Sequence, residues 1–137
     1  MRRTGRYHGP VGRVFLSHRL ADQADADRLR GRLDGPWTVL THTVSPAAAA
    51  TWQDECRRLI DETDVVICIV GDTTAASPNV AWEIETALAR GTPVIAVRAE
   101  RSMAPSLPAP LEARGYMLVD PKDAETRLDE VALERAG

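Results

Sequence analysis

The run V-V-I-C-I-V at residues 65–70 constrains the fold more than any other stretch of the chain. All six positions are apolar. A strand with one wet face would alternate, so an unbroken run implies a parallel strand covered on both faces. Covering both faces requires helices, and the sequence places helical patterns between its strand patterns. Residues 11–17 (V-G-R-V-F-L-S) form a first expected strand. A charged helix follows over 22–33, with Ala26, Leu29 and Leu33 inward, and Asp34-Gly35-Pro36 breaks it. Residues 37–43 are a second, more polar strand expected at an edge. A helix over 52–62 turns Cys56, Leu59 and Ile60 inward. After the 65–70 strand, expected at or near the centre, come a helix over 77–91 and a fourth strand over 93–97. Residues 98–110 carry three prolines and form a surface loop. A short fifth strand is expected over 116–119. A last helix over 123–136 turns Leu128, Val131 and Ala132 or Leu133 inward. This alternation predicts an α/β fold with a five-stranded parallel sheet and helices on both faces. At 137 residues there is one domain, over 11–137, behind a polar, flexible lead-in at 1–10.

The 77–91 helix has complete start and stop signals. Ser77 suits the N-cap, Pro78 the first helical position and Gly91 the left-handed cap at the far end. Val80, Ile84, Ala87 and Leu88 share one face at helical spacing. Asn79, Glu83, Thr86 and Arg90 form the stripe beside it, so Glu83 lies at the border of the core, while Trp82 and Glu85 point further out. The plain reading of Glu83 is a solvated acid near a helix N-terminus; the functional reading is a carboxylate held at a buried edge.

Composition narrows the chemistry. A formal net charge of −3, with no basic tract beyond a short arginine-containing N-terminus, argues against nucleic acid as the main partner. Two cysteines do not make a disulfide framework, and three scattered histidines match no metal spacing. No stretch is long enough to span a membrane and no leader pattern is present, which places the expected protein in the cytoplasm. The sequence contains no G-x-G-x-x-G after the first strand, no phosphate-loop motif and no G-x-S-x-G elbow.

In a doubly wound sheet, ligands bind outside the carboxyl ends of the strands where strand order reverses. Ser17, His18 and Arg19 after the first strand, the alanine-rich loop 44–51 after the second, and residues 71–77 after the third are therefore the candidate rim. Glu83 lies about 9 Å along the helix axis from Ser77. The candidate site comprises Glu83 as the acting carboxylate, with Ser17, His18, Arg19, Asp72, Thr73, Asn79 and Trp82 as binding groups. Trp52 or Trp82 could stack on a base, but each reads first as packing or an assembly contact. With four consecutive alanines to anchor it, the 44–51 loop is expected to be mobile without ligand.

V-F-L-S-H on the first strand, D-E-T-D-V-V-I-C-I-V-G-D-T-T on the third, and S-x-x-V-x-W-E-I-E-T-A-L-x-x-G followed by P-V-I-A-V resemble a TIR domain. More closely, they resemble its compact bacterial and archaeal branch, which includes the signal-producing subunit of the Thoeris anti-phage system. The resemblance spans residues 11–135. It implies a flavodoxin-like fold and an NAD-cleaving activity that breaks the nicotinamide–ribose bond, with NAD as substrate and no cofactor. It assigns the catalytic glutamate to Glu83. It further implies TIR–TIR self-association, little activity before assembly, and a cyclic ADP-ribose-type signal that reaches an effector protein. Pro78-Asn79 departs from the basic and aromatic residues common before the valine, and loop 44–51 carries no family signature. Two alternatives stand beside this reading: a non-catalytic TIR-like scaffold, and a nucleoside deoxyribosyltransferase-like enzyme using a carboxylate on the same architecture.

Overall fold

The computed structural model describes residues 12–41 and 51–136. In chain order the elements are β1 (Gly12–Ser17), α1 (Gln23–Leu33), β2 (Trp37–Leu40), α2 (Trp52–Asp61), β3 (Val65–Val70), α3 (Pro78–Ala89), β4 (Val94–Arg98), α4 (Ala109–Glu112) and α5 (Ala124–Ala136). Short 3-10 turns at Leu20–Asp22, Thr74–Ala76 and Pro121–Asp123 lead into α1, α3 and α5. The lead-in 1–10 lies outside the described residues. So do the end of the expected second strand and all of loop 44–51 except Thr51, the N-cap position of α2.

The strands form one parallel sheet in the order β2-β1-β3-β4. The uniformly apolar β3 is an interior strand and every one of its residues is buried. The polar β2 is at the edge. Among the described residues the sheet has four strands, where the sequence predicted five. Residues 116–119 run alongside β4 but pair only at the Val97–Val119 bridge, through Arg98 N–H to Val119 O (2.9 Å) and Val119 N–H to Ala96 O (2.8 Å). Gly115, at φ 74°, turns the chain into this segment and the Pro121 turn takes it out, so the extended stretch ends before a ladder can form.

Strand alternation sorts the core into two layers. Val65, Ile67 and Ile69 of β3, with Val14 and Leu16 of β1, pack against Leu29 and Leu33 of α1 and Leu128 and Val131 of α5. Val66, Cys68 and Val70, with Phe15, pack against Cys56 and Ile60 of α2, Val80 and Ile84 of α3, and Leu111 of α4. In α5, Ala132 packs partly against the first layer, whereas Leu133 is half exposed. At the start of α3 the Ser77 hydroxyl accepts from the Val80 N–H at 3.2 Å, and Gly91 adopts φ 73° beyond the last turn.

Candidate functional site

Period-two alternation puts Ser17 on the same side of β1 as Phe15, the side that α3 covers. The stripe on α3 that carries Glu83 descends onto that strand end. The two side chains meet: the Ser17 hydroxyl donates to Glu83 Oε1 at 2.5 Å. The Cys56 thiol, from α2, donates to Oε2 at 3.5 Å. Glu83 is 7% exposed and Ser17 1%. The carboxylate is thus a border group, as its stripe predicts, and it is buried rather than solvated. Cys68 is the register partner of Ser17 on the neighbouring strand. Burial, then the charge of Glu83, push both cysteine thiols well above their ordinary range, so both are neutral beside the carboxylate.

A cleft of about 360 Å³ opens over the carboxyl end of β1. Its volume falls within the range of about 300–1,000 Å³ typical of small-molecule sites. His18 and Arg19 enter it from the end of β1, Ser77, Asn79 and Glu83 from α3, and Gln23, Asp27 and Arg30 from α1. The position follows from topology. The chain leaves β1 toward β2 and later continues from β3 toward β4, and the crevice lies at that reversal. His18 Nε2 lies 3.1 Å from Gln23 Oε1, and Gln23 in turn donates to Asp27 Oδ1 at 2.9 Å. Arg19 donates to the Thr73 carbonyl at 3.1 Å, tying the first rim segment to the third.

The structure therefore gathers Ser17, His18, Arg19, Asn79 and Glu83. The remaining three sequence candidates sit elsewhere. Asp72 does not line the cleft: it accepts from the Ser102 hydroxyl and from the Ala104 N–H (2.8 Å), which fix the loop after β4. Those bonds, Ser102 first, hold its carboxyl below the usual range. Thr73 takes part through its carbonyl, as the acceptor for Arg19. Trp82 packs edge-on against Trp52, with ring centroids 5.1 Å apart, and the Arg57 guanidinium lies 5.2 Å from its centroid. Cleft residues that the sequence reading left unnamed include Gln23, Asp27 and Arg30. Their i, i+4, i+7 spacing is a readable polar stripe on α1.

The missing side chain of Gly71 leaves room for the Asp22 carboxylate. A Cβ there would lie 2.6 Å from Asp22 Oδ1 and 2.7 Å from Oδ2. Burial, helped by Asp25, raises the Asp22 carboxyl above its ordinary range. Thr74 secures the turn by accepting from the Gly71 N–H at 2.7 Å. Gly71→Ala is expected to displace Asp22 and to cost about 1–2 kcal/mol in urea unfolding. Asp22→Ala in the same chain should return most of that loss; an additive double mutant would show that the clash is not the cause.

Against known proteins, the sequence profile of the TIR domain matches residues 14–133. No curated protein matches the chain. Among solved structures, the chain is similar to the CMP N-glycosidase BcmB of Clostridium botulinum. The identity is 23% and the TM-score 0.53, over 85% of this chain and 98% of that one.

Proposed function

The chain belongs to the TIR domain family, and we propose that it is an N-glycosidase of NAD, breaking the bond between nicotinamide and ribose. One observation carries the reading: a buried carboxylate, Glu83, held by Ser17 and Cys56 at the floor of a cleft at the sheet's switch point. In NAD the nicotinamide nitrogen is cationic. When the C1′–N bond breaks, its electron pair leaves with the base, which becomes neutral, and positive charge develops on the ribose. A fixed carboxylate stabilises that charge more than it stabilises the ground state, which is the condition for lowering the barrier. Around Glu83 the cleft holds both cationic and anionic side chains. Arg19 and Arg30 suit the diphosphate, while Asn79 and Asp27 supply acceptors for hydroxyls. A water oxygen then attacks the ribosyl carbon and loses a proton, giving ADP-ribose. Attack from within the nucleotide gives a cyclic isomer instead.

The similar structure is an N-glycosidase of CMP, and the bond proposed here is of the same base-to-ribose type. The finer reading is that the product is a cyclic ADP-ribose-type signal, made in the cytoplasm by self-associated chains and read by an effector protein in anti-phage defence. The test is incubation of the assembled protein with NAD, CMP and deoxynucleosides, with products separated by chromatography. Nicotinamide release from NAD alone is expected. Transfer between deoxynucleosides would replace the reading, and inertness toward all three would leave a scaffold.

A further inference from the structure

We propose that Cys56 is a positioning residue for Glu83: its thiol, donated from α2 to Oε2, fixes the carboxylate against the cleft without neutralising it. The proposal rests on the reading of Glu83 as the acting group. Ser17 donates to one carboxylate oxygen and Cys56 to the other, from different elements, and this restrains rotation about the terminal torsion, otherwise a soft one. The two donors are not equivalent. The hydroxyl is a strong donor at 2.5 Å, whereas a thiol is a weak one, here at 3.5 Å. A weak donor orients the anion and leaves more of its charge to meet a developing ribose cation. The thiol is also a dependable donor. Burial and the adjacent negative charge keep it protonated, so it never becomes a second anion beside the first. Cys56 is fully buried, on the inward face of α2 that the sequence predicts, but core packing alone does not require sulfur there. A valine would fill the volume.

Three variants separate donation from packing. Cys56→Val fills the space without a donor, Cys56→Ala removes both, and Cys56→Ser restores a donor. With NAD, Cys56→Val and Cys56→Ala are expected to lower kcat about five- to tenfold with KM unchanged, the size of one ordinary hydrogen bond, as suits a weak thiol donor. Cys56→Ser should keep more activity than Cys56→Val, while falling below the starting protein because a hydroxyl is the stronger donor. A second readout needs no activity: the carboxyl carbon resonance of Glu83, assigned by its loss in Glu83→Gln, followed against pH in glutamate-labelled protein. Removing a donor to the charged form raises its pKa, so the midpoint should move up in Cys56→Val and Cys56→Ala and not in Cys56→Ser. Ser17 and Cys68 beside Glu83, and His18, Arg19, Asp27 and Arg30 lining the same cleft, are the same in every variant. The comparison therefore isolates Cys56. An unmoved midpoint and unchanged kcat in Cys56→Val would overturn the proposal, as would Cys56→Ser losing as much as Cys56→Val. If the starting protein does not cleave NAD, the proposed reaction falls, and the resonance still decides whether Cys56 controls the carboxylate.

Discussion

Glu83→Gln is expected to leave a folded protein that releases nicotinamide from NAD about two to three orders of magnitude more slowly. The amide has nearly the shape of the carboxylate and removes its charge. Its oxygen can still accept from Ser17, and its NH2 group can face the Cys56 sulfur, a weak acceptor, so no strong donor is left facing another. A large rate loss therefore reports electrostatics and not packing. Stability should hold or rise, because an ion that is 7% exposed is costly to bury and its amide is less so. Glu85→Gln, two residues on and exposed, lies outside the cleft and should stay near full activity. Product chromatography and thermal melting on the same samples check both arms. Normal turnover by Glu83→Gln would remove the carboxylate mechanism; loss in Glu85→Gln alone would move the site around the helix.

The core was legible because each layer is written in a period. The unbroken 65–70 run placed an interior strand, and the 3.6-residue stripe on α3 placed Glu83 at the core's border. Partners of a side chain are another matter. The sequence marks Cys56 as inward, yet nothing in α2 says that the facing group is a carboxylate 27 positions away. Asp72 was misplaced for a related reason. Proximity to a strand's carboxyl end puts a residue at the rim, but the rim has two sides, and the Ser102 loop claimed this aspartate. The fifth strand failed on length: four β-prone residues between a left-handed glycine and a proline turn make one bridge. Trp82 was read from its outward angle on α3, which leaves open that α2 would bring Trp52 to cover it.

The largest stability effect is expected from Phe15→Ala. Phe15 is the chain's one phenylalanine, in a protein whose aromatics are 4% of residues, and it is fully buried on the inner strand β1. It faces the layer built by Cys56, Ile60, Val66 and Ile84 and lies in register with Leu40 and Val66. Those neighbours belong to two strands and two helices, which cannot close together around a missing ring. Truncation to alanine should therefore cost about 3–5 kcal/mol, lost transfer energy plus a persistent cavity. Domains of this kind hold about 5–15 kcal/mol in total, so the change removes a large share. The urea midpoint should fall by roughly 2 M with little change in slope. Phe15→Leu keeps most of the volume and should cost about 1–1.5 kcal/mol. Leu133→Ala on α5 is the control: that side chain is half exposed, and its loss should stay within about 0.5 kcal/mol. Equal midpoints for Phe15→Ala and Leu133→Ala would mean that this layer is not the core. Ser17 lies two positions beyond Phe15 on the same face, so a cavity under the ring also loosens the strand end that holds Glu83. NAD cleavage in Phe15→Ala should accordingly decline at temperatures below its melting transition, whereas in Leu133→Ala it should decline only at the transition.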